Sequence, residues 1–396
     1  MRNKKALAEY IVCLLLSLVY LIFLDGKAGM FILAALIAAP IASVGLTLYA
    51  KSKIKFSFKA ENSVIGKGAK TTLSAVFVSS ALLPSPFITA EIFADEHFYC
   101  EDKKFRLALK PKTERTLSAD ITGLICGNGK AGVMSVSISD YLGLVTFDIY
   151  TERGMYLNSA DIGVTPNIPD TTLKNELIKS ACAVVSSEDT EESDDSVRTF
   201  GGNPGFEHRE YEPGDPIKRI NWKLSSKYEK LMVRLDEGTA EAKQYAVLDH
   251  CRSKDPDRMT ALFNEERLIE GLLAFSAVIA KLGKELILFI PQKNGWSQKN
   301  IKSMDDVYEL QFLFSQFMFS DEKISLSRLP DEVINGEIKT GAITIFTNSP
   351  DKKLLAEEDT VSSKGSTVYT AISAPTAEDI PELWIIGDDY SFTKYI

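Results

Sequence analysis

Two long apolar runs at the start of the chain limit what its first fifty residues can form. Residues 6–24 carry a single charge, Glu9, and residues 28–50 carry none. Each run is close to the ~20 residues that an α-helix needs to cross a hydrocarbon layer of about 30 Å. A short charged turn joins the two runs. We therefore predict a hairpin of two transmembrane helices over residues 1–50, in contact with the lipid bilayer through residues 6–50.

The charges beside the two runs predict how the hairpin is oriented. Lys27 is the basic residue of the turn, whereas the outer ends of the runs are flanked by Arg2, Lys4, Lys5, Lys51, Lys53, Lys55 and Lys59. Positive residues are enriched on the cytoplasmic side of membrane proteins. We therefore expect a two-pass protein of the cell membrane with both termini in the cytoplasm.

Residues 51–166 have the pattern of a β-rich domain. Short runs of alternating apolar and polar residues, such as "TTLSAVFVSS" and "GVMSVSISD", are separated by turn residues, with no helical pattern between them. A period of two that is rich in Val, Ile, Phe and Thr predicts strands. The segment is therefore predicted to be a β-sandwich-like domain.

One glycine-rich stretch of this domain resembles a nucleotide-binding motif. Residues 127–132, "GNGKAG", match G-x-G-x-x-G. That motif binds pyrophosphate because its glycines open a helix, whereas here a strand pattern follows. We interpret the stretch as a hairpin turn and predict no bound nucleotide.

An acidic run separates the β-rich domain from the rest of the chain. Residues 186–196 contain 6 carboxylates, which repel one another and favour a solvated segment. We predict a linker region over residues 167–205. The whole chain carries a net charge of −9. It therefore lacks the overall basic character that nucleic-acid binding favours, and no nucleic-acid partner is expected.

Residues 206–396 combine a charged segment with the pattern of an α/β domain. Continuous apolar strands alternate with helical patterns, which predicts a parallel sheet covered on both faces. The predicted fold class is therefore α/β plus all-β, with a doubly wound C-terminal domain. The predicted strands are Gln244–His250, Glu285–Pro291, Gly341–Thr347, Ser366–Ser373 and Glu382–Gly387, and the predicted helices are Met259–Gly283, Asp305–Phe319 and Lys352–Glu358.

The first of these strands runs into residues 249–253, "DHCRS". In doubly wound domains of the von Willebrand factor A type, D-x-S-x-S at this place binds a divalent ion, because hard cations prefer oxygen ligands. Here Cys251 replaces one hydroxyl, and Asn348 stands where such a site usually has an aspartate. We interpret Asp249 and Ser253 as a degenerate metal site. We predict no metal and no other cofactor, with Mg²⁺ as the ion that a working site would take.

The sequence does not have the side-chain patterns of a catalytic site. It has 3 histidines and 5 scattered cysteines, without G-x-S-x-G or C-x-x-C. Cys251 and His250 are neighbours in a strand pattern, so their side chains are expected to point to opposite faces. The sequence therefore predicts a protein that is not an enzyme.

Residues 209–234 are dense in charge and also contain apolar residues at helical spacing. Asp215 suits the N-cap of a helix, and Pro216 suits its first position. We predict a helix over Ile217–Ser226 and a strand over Lys230–Asp236. The helix would carry an apolar stripe of Ile217, Ile220 and Leu224, a basic stripe of Arg219, Lys223 and Lys227, and Trp222 between the two.

This charged segment has three interpretations. It holds 7 basic and 4 acidic residues, a net charge of +3 in a protein of −9. It is an amphipathic helix with a solvated face, or Trp222 and the basic stripe form a surface for an acidic partner, the acidic linker or anionic lipid headgroups. The third interpretation is that it braces the α/β domain, in which case replacing Trp222 would unfold that domain.

The segment resembles the signature of the bacterial family called domain of unknown function 58 (DUF58). The resemblance extends to the two N-terminal spans, to "SDYLGLVTF" at residues 139–147, and to a C-terminal von Willebrand factor A-like domain. The matching signature residues are Arg209, Tyr211, Gly214, Asp215, Arg219, Ile220, Trp222, Lys223, Leu231, Val233 and Arg234.

The resemblance implies a membrane-anchored companion of MoxR-type AAA+ ATPases. Our first hypothesis is therefore a cytoplasm-facing scaffold or adaptor that binds a cytoplasmic protein, expected to be such an ATPase. The alternative is a divalent-metal-dependent ligand-binding protein or enzyme that uses the strand-end site near Asp249.

Overall fold

The computed structural model describes most of the chain. The chain divides into two compact units, Met1–Pro166 with Phe312–Phe317 and Asn167–Gln311 with Met318–Ile396. We call them the first unit and the second unit. The described residues are 4–23, 26–151, 159–170, 176–183, 204–211, 220–228, 230–236, 243–292, 295–322, 340–350, 352–363, 367–375 and 383–395.

The first unit begins with two apolar helices, α1 (Lys4–Phe23) and α2 (Gly26–Lys53). They approach closely, because a Cβ atom on Gly29 would lie 2.5 Å from the Cα atom of Leu21. Both helices are long and apolar enough to cross a membrane, which supports the predicted membrane anchoring. The second helix continues to Lys53, beyond its predicted end at residue 50.

Within its described residues, the first unit has ten strands: β1 (Ile54–Ala60), β2 (Val64–Gly66), β3 (Lys70–Ser79), β4 (Ile88–Ala94), β5 (Phe98–Cys100), β6 (Lys104–Leu107), β7 (Glu114–Gly123), β8 (Gly127–Ser139), β9 (Thr146–Thr151) and β10 (Ser159–Thr165). One sheet has the order β1–β3–β7–β5. The other has the order β2–β10–β8–β4–β6, and β9 also pairs with β8.

The two sheets of the first unit share a core. Phe77 of β3 packs in one apolar cluster with Val136 and Ile138 of β8. A second cluster joins Leu73 of β3 to Ile162 of β10. Alternate residues of these strands therefore point inward, as expected for sheets that pack face to face. The β-rich character predicted for this part of the chain is confirmed.

The glycine-rich stretch at residues 127–132 lies inside a strand, so the predicted hairpin turn is wrong. It forms the start of β8. Gly127 has a φ of +113°, and a Cβ atom on Gly129 would lie 2.5 Å from the ring of Phe98. These glycines therefore permit an unusual backbone angle and close packing against a neighbouring side chain. The strand continues after these glycines, so they do not open the helix that a pyrophosphate site needs.

The rest of the chain contains helices and strands in alternation. The described elements are α3 (Glu176–Ala183), β11 (Pro204–Glu210), α4 (Trp222–Tyr228), β12 (Met232–Asp236), β13 (Lys243–Leu248), α5 (Arg258–Lys281), β14 (Leu286–Gln292), β15 (Gly295–Ile301), α6 (Met304–Phe314), β16 (Thr340–Thr347), α7 (Lys352–Ser362), β17 (Thr367–Ile372), β18 (Leu383–Ile386) and β19 (Phe392–Lys394).

In the described part of the second unit, seven strands form one sheet of the order β15–β14–β13–β16–β17–β18–β19. Five central strands are parallel, and β15 and β19 are antiparallel at the two edges. The predicted apolar strands all belong to this sheet, so the mixed α/β content is confirmed. The two antiparallel edge strands were not predicted from the sequence, because they are short or polar.

Helix α5 shows how local sequence signals and burial act together. Asp257 is its N-cap, and the side chain accepts a hydrogen bond of 2.9 Å from the backbone N–H of Thr260. Beyond its last turn, Gly283 has a φ of +70°, which suits glycine at a helix end. Between these ends the helix is buried almost all round, including Phe275, as expected for the crossover helix of a parallel sheet.

One predicted linker contains a helix, and one predicted helix end is wrong. Residues 167–205 were predicted to be a linker, but α3 lies among them and buries Leu177 and Ile178. The acidic run at 186–196 lies outside the described residues. The helix predicted to reach Phe319 ends at Phe314, where backbone bonds between residues three apart replace the α-helical pattern. The phenylalanine-rich sequence beyond that point conceals the end of the helix.

Candidate functional site

The predicted metal-site residues lie where the course of the parallel sheet reverses. From β13 the chain crosses to β14 on one side, and β16 and β17 lie on the other. Ligands of doubly wound sheets commonly bind beyond the strand ends at such a switch point. Asp249 follows β13 and is 2% exposed, and Thr347 ends β16. Asp249 is one of the two residues that the sequence analysis interpreted as a degenerate metal site.

The side chain of Asp249 already makes contacts within the protein. Its Oδ2 atom accepts a hydrogen bond of 2.7 Å from the hydroxyl of Thr347, and its Oδ1 atom accepts one of 3.0 Å from the backbone N–H of Cys251. Cys251 is itself buried and forms a β-bridge with Ser320. The carboxylate therefore serves to join the ends of two strands.

Ser253, the other candidate ligand, has separate contacts. Its backbone N–H donates to Oε1 of Glu265 over 3.2 Å, and its hydroxyl accepts from Nδ2 of Asn264 over 3.4 Å. Among the described residues, no group of three or more His, Cys, Asp or Glu side chains is arranged to hold a metal ion. Asp249 therefore bonds to Thr347 and Cys251, whereas Ser253 bonds to Glu265 and Asn264.

The charged signature segment forms a small structure of its own. Strands β11 and β12 are antiparallel, with Arg209 opposite Val233. Ile220 also pairs with Val233 through an antiparallel bridge. Backbone pairing thus brings together Arg209 and Val233, two signature residues that lie 24 positions apart in the sequence. Gly214, Asp215 and Arg219 lie outside the described residues.

The helix of this segment begins later than predicted. Ile220 lies in a β-bridge, so the prediction of a helix over Ile217–Ser226 is wrong at that residue. Helix α4 starts at Trp222, and the Oδ1 atom of Asn221 accepts a hydrogen bond of 3.2 Å from the backbone N–H of Leu224. Asn221 therefore caps the described helix, and the cap predicted at Asp215 falls outside the described residues.

One face of this structure is buried and joined by hydrogen bonds. Ile220, Ser225 and Val233 are each at most 8% exposed. The hydroxyl of Ser225 donates to the carbonyl of Asn221 and accepts from the backbone N–H of Met232, both over 2.8 Å. These contacts fix α4 against β12 without using the side chain of Trp222.

The other face is exposed, aromatic and basic. Trp222 is 63% exposed and Tyr228 is 58% exposed. Lys223 and Lys227 are exposed four residues apart on α4, as predicted for the basic stripe. The ammonium group of Lys227 lies 5.9 Å from the ring centroid of Tyr228. We call Trp222, Lys223, Lys227, Tyr228 and the exposed Leu231 the α4 surface.

A comparison with protein families finds this same segment. Residues 207–297 match the family described as "Protein of unknown function DUF58". The match supports membership of the DUF58 family. The DUF58 match begins in β11 and runs through α4, β13 and α5 into β15, so it includes both the α4 surface and the region of Asp249.

Comparisons beyond the DUF58 match add little. No curated protein matches the chain. A fragment of Escherichia coli α-2-macroglobulin is 16% identical over 28% of this chain, with a TM-score of 0.21, and the chain spans 16% of that fragment. A CARDB domain from Pyrococcus furiosus is 18% identical over 28% of this chain and 91% of its own length, with a TM-score of 0.20. Similarities at this level carry no argument about fold or function.

The structure also reveals a buried carboxylate that sequence reasoning missed. Glu270 lies within the DUF58 match on α5 and is 1% exposed. Its Oε1 atom accepts a hydrogen bond of 2.8 Å from the backbone N–H of Asn167, and its Oε2 atom accepts one from the hydroxyl of Tyr390. A Glu within a mostly apolar helix was the available signal, but its partners are more than 100 residues away in the sequence.

Proposed function

We propose that this protein is a membrane-anchored scaffold or adaptor that faces the cytoplasm and binds a cytoplasmic protein through the α4 surface. The exposure of Trp222 is the observation that carries the proposal. Most of this large aromatic side chain is accessible on a short helix that is held by hydrogen bonds, so it is available to a partner. Exposed Trp and Tyr are also the residues that most often supply binding energy at protein interfaces.

The charges of the α4 surface favour an acidic partner. Lys223 and Lys227 lie beside the aromatic rings, and basic residues around an apolar contact increase the rate and specificity of association with an acidic surface. The resemblance to DUF58 proteins adds the expectation that the partner is a MoxR-type AAA+ ATPase. The positive residues outside α1 and α2 support a cytoplasmic location for this contact.

The contacts around α4 favour docking over bracing. Among the described residues of the segment, Ile220, Ser225 and Val233 make the buried contacts, which supports docking by Trp222 over bracing. We also propose that the second unit is von Willebrand factor A-like. The strand order supports this, because its first six strands, numbered along the chain from β13, follow the doubly wound order 3-2-1-4-5-6.

Replacing Trp222 with Ala is expected to weaken binding to the ATPase by about 30-fold, equivalent to roughly 2 kcal/mol for a central interface residue. The measurement is the affinity of the full chain in nanodiscs for the purified MoxR-type ATPase encoded in the same genome. Tyr308→Ala is the matched control, because Tyr308 is 55% exposed on α6 in the same unit. An unchanged affinity in a folded Trp222→Ala variant would contradict docking, and a loss of thermal stability would favour the brace.

The alternative, a divalent-metal-dependent function, is tested separately by metal binding. Because both oxygens of Asp249 accept hydrogen bonds from the protein, we expect no saturable heat when Mg²⁺ or Mn²⁺ is titrated to millimolar concentration by calorimetry. Asp255→Asn, a change beside the same loop, is the control for Asp249→Asn. Saturable binding that is lost in Asp249→Asn and kept in Asp255→Asn would support the metal-dependent alternative.

A further inference from the structure

The last turns of α2 pack against the β-sandwich. Ser43, Thr47 and Ala50 share one face of the helix and are all at most 5% exposed. Ala50 belongs to the same apolar cluster as Phe77 of β3. The hydroxyl of Ser43 donates a buried hydrogen bond of 2.8 Å to Oδ2 of Asp140, in the loop after β8. One face of α2 from Ser43 onward is therefore packed against the sandwich, while its other face still exposes Leu46 and Leu48.

The pairing of α1 with α2 indicates the level at which the bilayer ends. Leu21 lies beside Gly29. Lys5 of α1 is as many residues from Leu21 as Gly45 of α2 is from Gly29. Because the two helices are antiparallel, Lys5 and Gly45 lie at the same level, a rise of ~24 Å from the Leu21 contact. Lys5 is a charged residue at the end of an apolar span, so it marks the headgroup level. Ser43 and its partner Asp140 therefore lie close to that level.

Three loops of the sandwich lie beside this part of α2. We call residues 80–87, 109–113 and 140–145 the interfacial loops. The backbone N–H of Ser85 donates to the carbonyl of Leu109 over 2.8 Å, and the hydroxyl of Tyr141 donates to the carbonyl of Pro84 over 2.5 Å. These bonds hold the three loops together at the end of the sandwich that contacts α2.

The interfacial loops expose large apolar side chains. Leu82 is 67% exposed and Phe87 is 59% exposed, and the others are Leu83, Tyr141 and Leu142. A cluster of this kind at one end of a folded domain marks a surface that contacts another apolar phase. Tyrosine near such a surface is typical of the boundary between hydrocarbon and water.

Basic residues surround the apolar cluster. The guanidinium carbon of Arg106 lies 5.7 Å from the ring centroid of Phe87. Lys110 and Lys112 are exposed in the second interfacial loop, and Lys53 is exposed at the end of α2. Apolar side chains bordered by Lys and Arg are the pattern that binds a bilayer with anionic headgroups.

We propose that the interfacial loops form a lipid-binding surface that enters the headgroup layer of the membrane crossed by α1 and α2. Leu82, Leu83 and Phe87 contact the upper acyl region, and Arg106, Lys110 and Lys112 contact anionic phosphates. This proposal rests on membrane anchoring and is independent of docking at the α4 surface. It implies that the sandwich has a fixed orientation on the membrane, with the opposite end of β3 about 30 Å farther out.

Spin labels on the full chain in nanodiscs test the location of the loops. Cysteines are introduced at Leu83 or Phe87 in a background where Cys13 and Cys182 are replaced by Ser. Tyr99→Cys is the matched control, because Tyr99 is 56% exposed and lies on β5, which pairs with the far end of β7. We expect oxygen to relax the labels at positions 83 and 87 strongly and a water-soluble nickel chelate to relax them weakly. The label at position 99 is expected to show the reverse. If the nickel chelate relaxes the labels at all three positions and oxygen does not, the proposal is wrong. Loops that bind a protein instead of lipid would give this result.

The role of the basic residues is tested by lipid composition. Nanodiscs of phosphatidylcholine alone are compared with discs that also contain phosphatidylglycerol, using the label at position 87. We expect nickel accessibility to fall when phosphatidylglycerol is present, and this response to be lost in Lys110→Glu combined with Lys112→Glu. An equal response in the charge-reversed variant would overturn the assignment of these lysines to headgroups.

Discussion

Replacing Asp140 with Ala is expected to lower the free energy of unfolding of the first unit by about 3–5 kcal/mol. Asp140 is 3% exposed and accepts hydrogen bonds from the hydroxyl of Ser43 and the backbone N–H groups of Leu142 and Val145, over 2.8, 3.3 and 2.8 Å. Each buried donor left without an acceptor costs about 1–3 kcal/mol. The substitution affects three donors at once, in both the loop and α2.

Thermal unfolding of the purified full chain in detergent measures this effect, and hydrogen exchange locates it. Exchange is expected to rise in residues 140–145 and in the last turns of α2. Asp161→Ala is the control, because Asp161 is exposed and its carboxylate lies 3.8 Å from the ammonium group of Lys130, a surface pair worth at most about 1 kcal/mol. Ser43→Ala removes one donor and should cost only about 1 kcal/mol. Equal effects of the Asp140 and Asp161 substitutions would contradict this account.

Replacing Glu358 with Gln is expected to stabilise the second unit at pH 8 by about 3 kcal/mol and to have little effect at pH 4. Burial raises the pKa of the Glu358 carboxyl from its usual 4.5 to about 7, although the hydroxyl of Thr370 donates a hydrogen bond of 2.7 Å to its Oε1 atom. Ionised Glu358 thus lacks the solvation that it has in the unfolded chain. A shift of this size corresponds to about 3 kcal/mol.

The direction of the pH effect follows from proton binding. Between pH 4.5 and about 7 the folded chain keeps the proton of Glu358 while the unfolded chain loses it, so stability falls as the pH rises through this window. Gln keeps a carbonyl acceptor for Thr370 and cannot ionise. Thermal unfolding at pH 4 and pH 8 measures the difference, with Glu309→Gln as the control, because Glu309 is exposed on α6. A gain in stability that is equal at both pH values would contradict this explanation.

The sequence predicted the elements whose signals are local. The apolar runs of α1 and α2 and the continuous apolar strands of the second unit need no information about distant contacts. The same is true of the exposed Lys223 and Lys227, which follow from helical spacing. Antiparallel edge strands were missed because β19 is only 3 residues long and the exposed side of β15 is polar, so neither has the apolar pattern of a buried strand.

The start of α4 illustrates a conflict between local signals. The sequence of Asp215 and Pro216 favours a helix start, and Ile220 fits the helical stripe predicted after it. Ile220 is instead bridged to Val233, because a β-branched residue gains more by joining the buried side of a small sheet than by continuing a helix. A tertiary contact thus overrides the local pattern, and no spacing rule would have located Asn221 as the cap.

The contact of Asp140 with Ser43 also could not be predicted. The two residues are 97 positions apart, and each has an ordinary local explanation, one in a loop and the other in an apolar helix. The buried Glu270 is a similar case, since both of its partners come from distant parts of the chain. Sequence periodicity indicates which face of an element is apolar, but it does not identify the polar partner of a buried carboxyl group.

The antiparallel strands at both edges of the large sheet have a consequence for assembly. A parallel sheet with open edges can add strands from other copies and grow into fibres. Here one edge is β15, which exposes Gln298, Lys299 and Asn300, and the other is the three-residue β19. Lysine on an edge strand and short edge length both discourage strand addition. Both described edges of this sheet therefore discourage strand addition, so we expect copies of the protein that are concentrated on a membrane not to polymerise through it.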